Sequence, residues 1–224
     1  MLSAAKTIFN YIKFKNENEM MQIVLPMHIL AGTIALLSSI VAVLSEKGKK
    51  LHVLSGRTYF WGMLGIFLTA ILMSIITSNI FLFLIAFFSF YFAFAGLRFA
   101  RNRKGTATTS DWIAVGLMIL SGVGMLILAA ILFMNNEYMY IPLLVFGFGA
   151  IVLGYGDFKS HKNKTAIGKE RIARHLVSMI GGTIAVITAV LVVNVKIEPV
   201  WIWWVLPTVL IVPVIIWWRI KVMK

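Results

Sequence analysis

Residues 47 to 60 read "KGKKLHVLSGRTYF", and within them His52, Gly56 and Tyr59 recur at i, i+4 and i+7, one face of a helix. Basic residues crowd this stretch, but the imidazole is the group that can bind a metal or carry a proton near neutral pH. The chain has four histidines. His52 and His175 each fall where charged residues give way to a long apolar run, so their rings could face one another if those runs touch. Histidines from two facing helices supply both axial ligands of many membrane haems, so this pair points to a b-type haem. Asp157 closes another apolar run on the same side, where a carboxylate opposes the helix dipole and calls for a cation or a metal. Together His52, His175 and Asp157 could hold Zn²⁺ with water in the open fourth position, as in a zinc-dependent membrane hydrolase. The tight His-x-x-x-His pair of several zinc enzymes is missing, which ranks zinc below haem.

His28 follows Pro26 about two turns inside its apolar run, and ionisable residues at membrane depth usually mark function. As a proton-responsive group, with Arg57, Arg174 and Lys50 drawing in an anion or lipid headgroup, it suits transport or ligand binding. Tyr59 shares the His52 face, and Arg57 adjoins it. Small-molecule transport or binding by a His/Asp/Arg cluster is the leading expectation, followed by the haem reading and then the hydrolase. Outside this set, His161 sits in "KSHKNKTAIGKERIARH" and reads as solvated surface. Asp111, after "TATTS", reads as a helix amino-terminal cap, Glu46 as a loop ion-pair partner, and Lys159, Arg171 or Arg174 as the simplest partner of Asp157.

The elements that must position these groups are membrane helices. Of 224 residues 60% are apolar and only 13% charged, with a mean hydropathy of +0.92, whereas soluble domains carry about 25% charged residues. Apolar runs bounded by charge or turn residues predict an all-α integral membrane bundle of seven transmembrane helices, near 22–45, 55–77, 79–99, 111–134, 139–156, 175–195 and 199–218. Residues 21–224 form one such domain, preceded by an interfacial segment over 1–20, in which Lys6 and Lys13 interrupt any signal-peptide core. Seventeen of the 21 Lys and Arg residues fall in the first, third and fifth loops and at the carboxyl terminus. The positive-inside rule then places the amino terminus outside and the carboxyl terminus in the cytoplasm. That distribution also explains the net charge of +13 without nucleic acid, for which no binding motif is present. With no cysteine, disulfides, iron–sulfur clusters and thiolate zinc are excluded. The expected partner is the lipid bilayer.

Small residues at helical spacing mark where membrane helices approach closely. They run along the first span (Ala35, Ser39, Ala42), the third (Ala86, Ser89, Ala93, Gly96) and the sixth (Ser178, Gly182, Ala185, Ala189), which predicts these three at the bundle centre. The last span carries Pro207 and Pro213, which should bend it, and five of the seven tryptophans, placed as belts at its two ends.

"HILAGTIALLSSIVAVLSEKGKKLHVLSGRTYFWGM", "SFYFAFAGLRFARN", "GDFKS" and "RHLVSMIGGTIAVITAVLVVN" together resemble a large group of bacterial polytopic inner-membrane proteins classed as a domain of unknown function. The resemblance covers most of residues 27 to 195 and implies that His28, Gly48, His52, Gly56, Asp157 and His175 occupy family motif positions. At Ser178 the sequence departs from the family pattern, which has an arginine. The resemblance implies a bacterial plasma membrane location and no particular reaction.

Overall fold

The computed structural model describes the backbone of residues 2–224 and the side chains of residues 17–224. Among the described residues the chain is all-α, with α1 (Leu2–Leu44), α2 (Lys50–Ile76), α3 (Ile80–Arg101), α4 (Thr109–Met134), α5 (Tyr140–Asn163), α6 (Gly168–Asn194) and α7 (Trp201–Met223). All seven are long and apolar enough to cross a membrane. The interfacial reading of residues 1–20 rests mostly on side chains that lie outside the described residues.

Local chemistry sets the helix ends. Gly48 takes a φ of +80°, open to a residue without a Cβ, and turns the chain from α1 into α2. Asn79 caps α3 by accepting from the Leu82 amide at 3.1 Å, and Thr108 with Asp111 forms a capping box at the start of α4. Helix α1 begins at Leu2, not near residue 22, and three other boundaries that bear on the site differ from the sequence expectation. Helix α2 begins at Lys50, α5 continues to Asn163, and α6 begins at Gly168, so only residues 164–167 link α5 to α6. Charge ends an apolar run but not a helix, whose backbone bonds continue into the interface as long as its side chains find water or partners.

Helix α3 is central, packing on α2, α4 and α6, while α6 packs on α3 and α7. Helix α1 lies mainly against α2 and touches α6 only sparsely. The expectation that α1 stands with α3 and α6 at the centre is therefore corrected. Its small residues do serve a close approach, but to α2, where a Cβ on Gly62 would lie 2.9 Å from the Ala35 amide. Gly122 and Gly147 join α4 to α5 in the same way, each Cβ position meeting the other's carbonyl within 3.0 Å. Helix α7 runs unbroken through Pro207 and Pro213 and is the least buried of the seven.

The linkers after α1, α3 and α5 gather with the carboxyl terminus at one end of the bundle. The Lys169 ammonium donates to the Lys224 carbonyl at 2.6 Å, and Arg171 donates to the Phe99 and Ala100 carbonyls at 2.9 and 2.8 Å, covering the end of α3. This end carries the basic clusters.

Candidate ligand site

His52, in the first turn of α2, and His175, two turns into α6, face one another near the basic end, with ring centroids 6.2 Å apart and planes at 85°. Each ring is fixed by a main-chain carbonyl. His52 Nδ1 lies 3.0 Å from the Ala42 oxygen of α1, and His175 Nδ1 lies 2.8 Å from the Gly96 oxygen of α3. A carbonyl can only accept, so Nδ1 carries the proton in both rings, and in the neutral form both Nε2 atoms keep a free lone pair.

The pair borders a half-open cavity of about 160 Å³ between α1, α2, α6 and α7. Its walls are chiefly apolar, with Leu176, Met179, Ile180 and Trp218, and Lys47 stands at the rim. The Lys47 ammonium donates to the Ala42 and Val43 carbonyls at 3.0 and 2.5 Å, tying off the end of α1. Partial burial lowers its pKa from the ordinary lysine value. Helices α1 and α7 barely pack on one another, meeting where that ammonium lies 5.3 Å from the Trp218 ring centre. Tyr59 also lines the cavity and is 2% exposed, yet its hydroxyl has no hydrogen-bond partner. The Thr183 hydroxyl lies alongside and gives its own proton to the Met179 carbonyl at 3.0 Å, so toward the phenol it can act only as an acceptor. Close packing pins the phenol, because a Cβ at Gly182 would collide with Tyr59 Oη.

Gly56 adjoins the pair one turn beyond His52, and a Cβ there would meet nothing within 4 Å. Arg57 is exposed and does not line the cavity.

Asp157 is elsewhere. It is buried on α5, where it accepts from the Tyr91 hydroxyl of α3 at 2.6 Å and pairs with Arg174 of α6. Arg174 also meets Glu170 at 3.0 Å, so it is not free to draw an anion as expected, and Arg171 is engaged with α3. Of the three partners expected for Asp157, Arg174 is the one it takes. Among the described residues no three His, Asp or Glu side chains come close enough to hold a metal, so the His52–His175–Asp157 zinc triad is not assembled. Its carboxylate is consumed by an ion pair one helix away.

His161 corrects a second expectation. Because α5 continues past Asp157, His161 is 7% exposed, stacked on Phe99 at 5.6 Å and edge-on to Trp112 at 5.8 Å, with its Nδ1 buried and unpartnered. A signal was present: Ala150, Gly154, Asp157 and His161 are all buried and fall at steps of 4, 3 and 4 residues. Asp111 does more than cap α4, since Arg98 of α3 grips it with two bonds of 2.6 and 2.7 Å. Glu46 pairs with Lys49 at 3.7 Å, as expected.

His28 lies apart from the cavity. Its Nδ1 is 2.8 Å from the Thr69 hydroxyl on α2, and that hydroxyl reaches the Gly65 carbonyl at 2.6 Å. It is part of the α1–α2 seam.

No protein-family model, curated protein or solved structure matches the chain.

Proposed function

We propose that the chain is a multi-pass protein of a bacterial plasma membrane, amino terminus outside and carboxyl terminus in the cytoplasm, which binds a small molecule in the cavity beside His52 and His175. The gathering of basic clusters at one end of the bundle supports the orientation, and the sequence resemblance supports the membrane. The observation that carries the binding reading is the pair of uncommitted imidazole nitrogens of His52 and His175, each ring oriented by a main-chain carbonyl beside that cavity. The apolar walls and the gap between α1 and α7 suit a molecule that arrives from the lipid phase.

Binding is favoured over transport because His28, the group expected to respond to protons, has no connection to the cavity. The test is native mass spectrometry of the full chain released from nanodiscs prepared from its own membranes. One small organic molecule should accompany the wild type and be absent from Gly56→Phe, which fills open space beside the histidines. The same adduct pattern in both proteins would overturn the reading.

A further inference from the structure

Resting on the reading of the cavity as a ligand site, we infer that its ligand is a haem, held by His52 and His175 as paired axial ligands. Four features of the site lead there.

The first is tautomeric. Metal-bound histidines donate their other ring N–H to a carbonyl or carboxylate, which fixes the ring and raises the basicity of the ligating nitrogen. Both rings here do so, through Ala42 and Gly96, on two different helices.

The second is spacing. Two imidazoles on opposite sides of one metal, at a metal–nitrogen distance of about 2.0–2.1 Å with a ring radius of about 1.1 Å, place their centroids about 6.3 Å apart. The observed separation is 6.2 Å. The 85° between the ring planes is compatible, because each axial ring can rotate about its own metal bond.

The third is the number of ligands. Zinc takes four ligands, and here the protein offers two imidazoles with no third His, Asp or Glu among the described residues. A metal that brings its own equatorial nitrogens needs only these two. A porphyrin iron meets that requirement.

The fourth is the cradle. Gly56 stands one helical turn beyond His52 with open space where a side chain would be, so a flat group can lie against α2. Apolar Leu176, Ile180 and Trp218 face it. The enclosed 160 Å³ is less than the roughly 300–1,000 Å³ of pockets that bury a whole drug-sized ligand. Occupancy therefore requires one wall to yield. Helix α7, with 11% of its apolar window buried, is the wall held least, and it brings Trp218.

The experiment is titration of the full chain in nanodiscs with ferric haem b, followed by its Soret band and by Trp fluorescence. One equivalent should bind with a low-spin, six-coordinate spectrum. His52→Ala and His175→Ala should each weaken binding by at least about 10- to 100-fold, the range seen when even an outer partner of a metal ligand is lost, and shift the remaining haem to high spin. Gly56→Phe should keep the fold, since nothing lies within 4 Å of its Cβ, and abolish binding. Absence of saturable binding, or equal binding by all three variants, would overturn the inference. A copurifying molecule other than haem that Gly56→Phe excludes would overturn the haem assignment and leave the cavity reading standing. Binding of cuprous ion by the two histidines without haem would likewise refute it.

Discussion

Tyr59 gives a prediction about stability. Its hydroxyl is buried without a partner, so Tyr59→Phe removes an unsatisfied group and little else. The variant should be more stable by about 1 kcal/mol, and its thermal midpoint should rise, while binding in the cavity, which the enclosed hydroxyl does not face, stays unchanged. A fall in the midpoint would mean that the phenol donates to the Thr183 oxygen beside it. His28 predicts the converse. Hydrogen bonds between membrane helices average about 0.6 kcal/mol, so Thr69→Val should weaken the α1–α2 seam by that amount in unfolding from mixed micelles and leave ligand binding untouched. The sequence exposed the residues on one helix face: His52, Gly56 and Tyr59 share the cavity as their spacing implied. It could not expose the carbonyls of Ala42 and Gly96, because main-chain acceptors look alike at every position. Nor could it expose Tyr91, a single phenol within the phenylalanine-rich run "FSFYFAFAGLRFAR" whose partner lies 66 residues away.

Helices are joined here by two kinds of contact, and they respond differently to substitution. The basic end is tied by ion pairs that cross from one helix to the next: Arg98 to Asp111 between α3 and α4, Arg174 to Asp157 between α6 and α5, and Arg219 to Glu170 between α7 and α6 at 3.6 Å. Removing one partner of a buried pair strands the other charge and costs about 3–5 kcal/mol. Asp157→Ala should approach the lower figure, because Glu170 still meets Arg174 and only the Tyr91 hydroxyl and one guanidinium edge lose their acceptor. Reversible unfolding in detergent checks this, and a loss under about 1 kcal/mol would show that the pair is solvated. The other contact is bare backbone approach. Gly62→Leu should force α1 from α2, since even a Cβ would meet Ala35 and Ala31 within 3.1 Å. Small-residue stripes in the sequence announced close approach correctly but not the neighbour. In α1 the stripe faces α2, the next helix in the chain, where a short linker makes packing the default.

For the molecule as a whole, the open quantity is direction in the membrane, and the cysteine-free chain makes it measurable. Single thiols placed at Glu46, Lys104 and Glu137, all exposed and in linkers, have no competing site. The seven-helix order puts the first two at the basic end and Glu137 at the other. An impermeant maleimide should label Glu137→Cys in intact cells and Glu46→Cys and Lys104→Cys only in inverted vesicles; the reverse pattern would overturn the orientation. The charge margin also implies resistance to inversion. Seventeen basic residues stand at one end against four elsewhere, and each near an anionic surface is worth about 1 kcal/mol. Neutralising Arg101, Arg103 and Lys104 together removes only one linker's share, so the labelling pattern should not change. Nearly all of that margin is carried by positions outside the cavity, because among the described lysines and arginines only Lys47 lines it. Topology and site can therefore be altered independently, and a cavity variant that keeps its labelling pattern has changed the site alone.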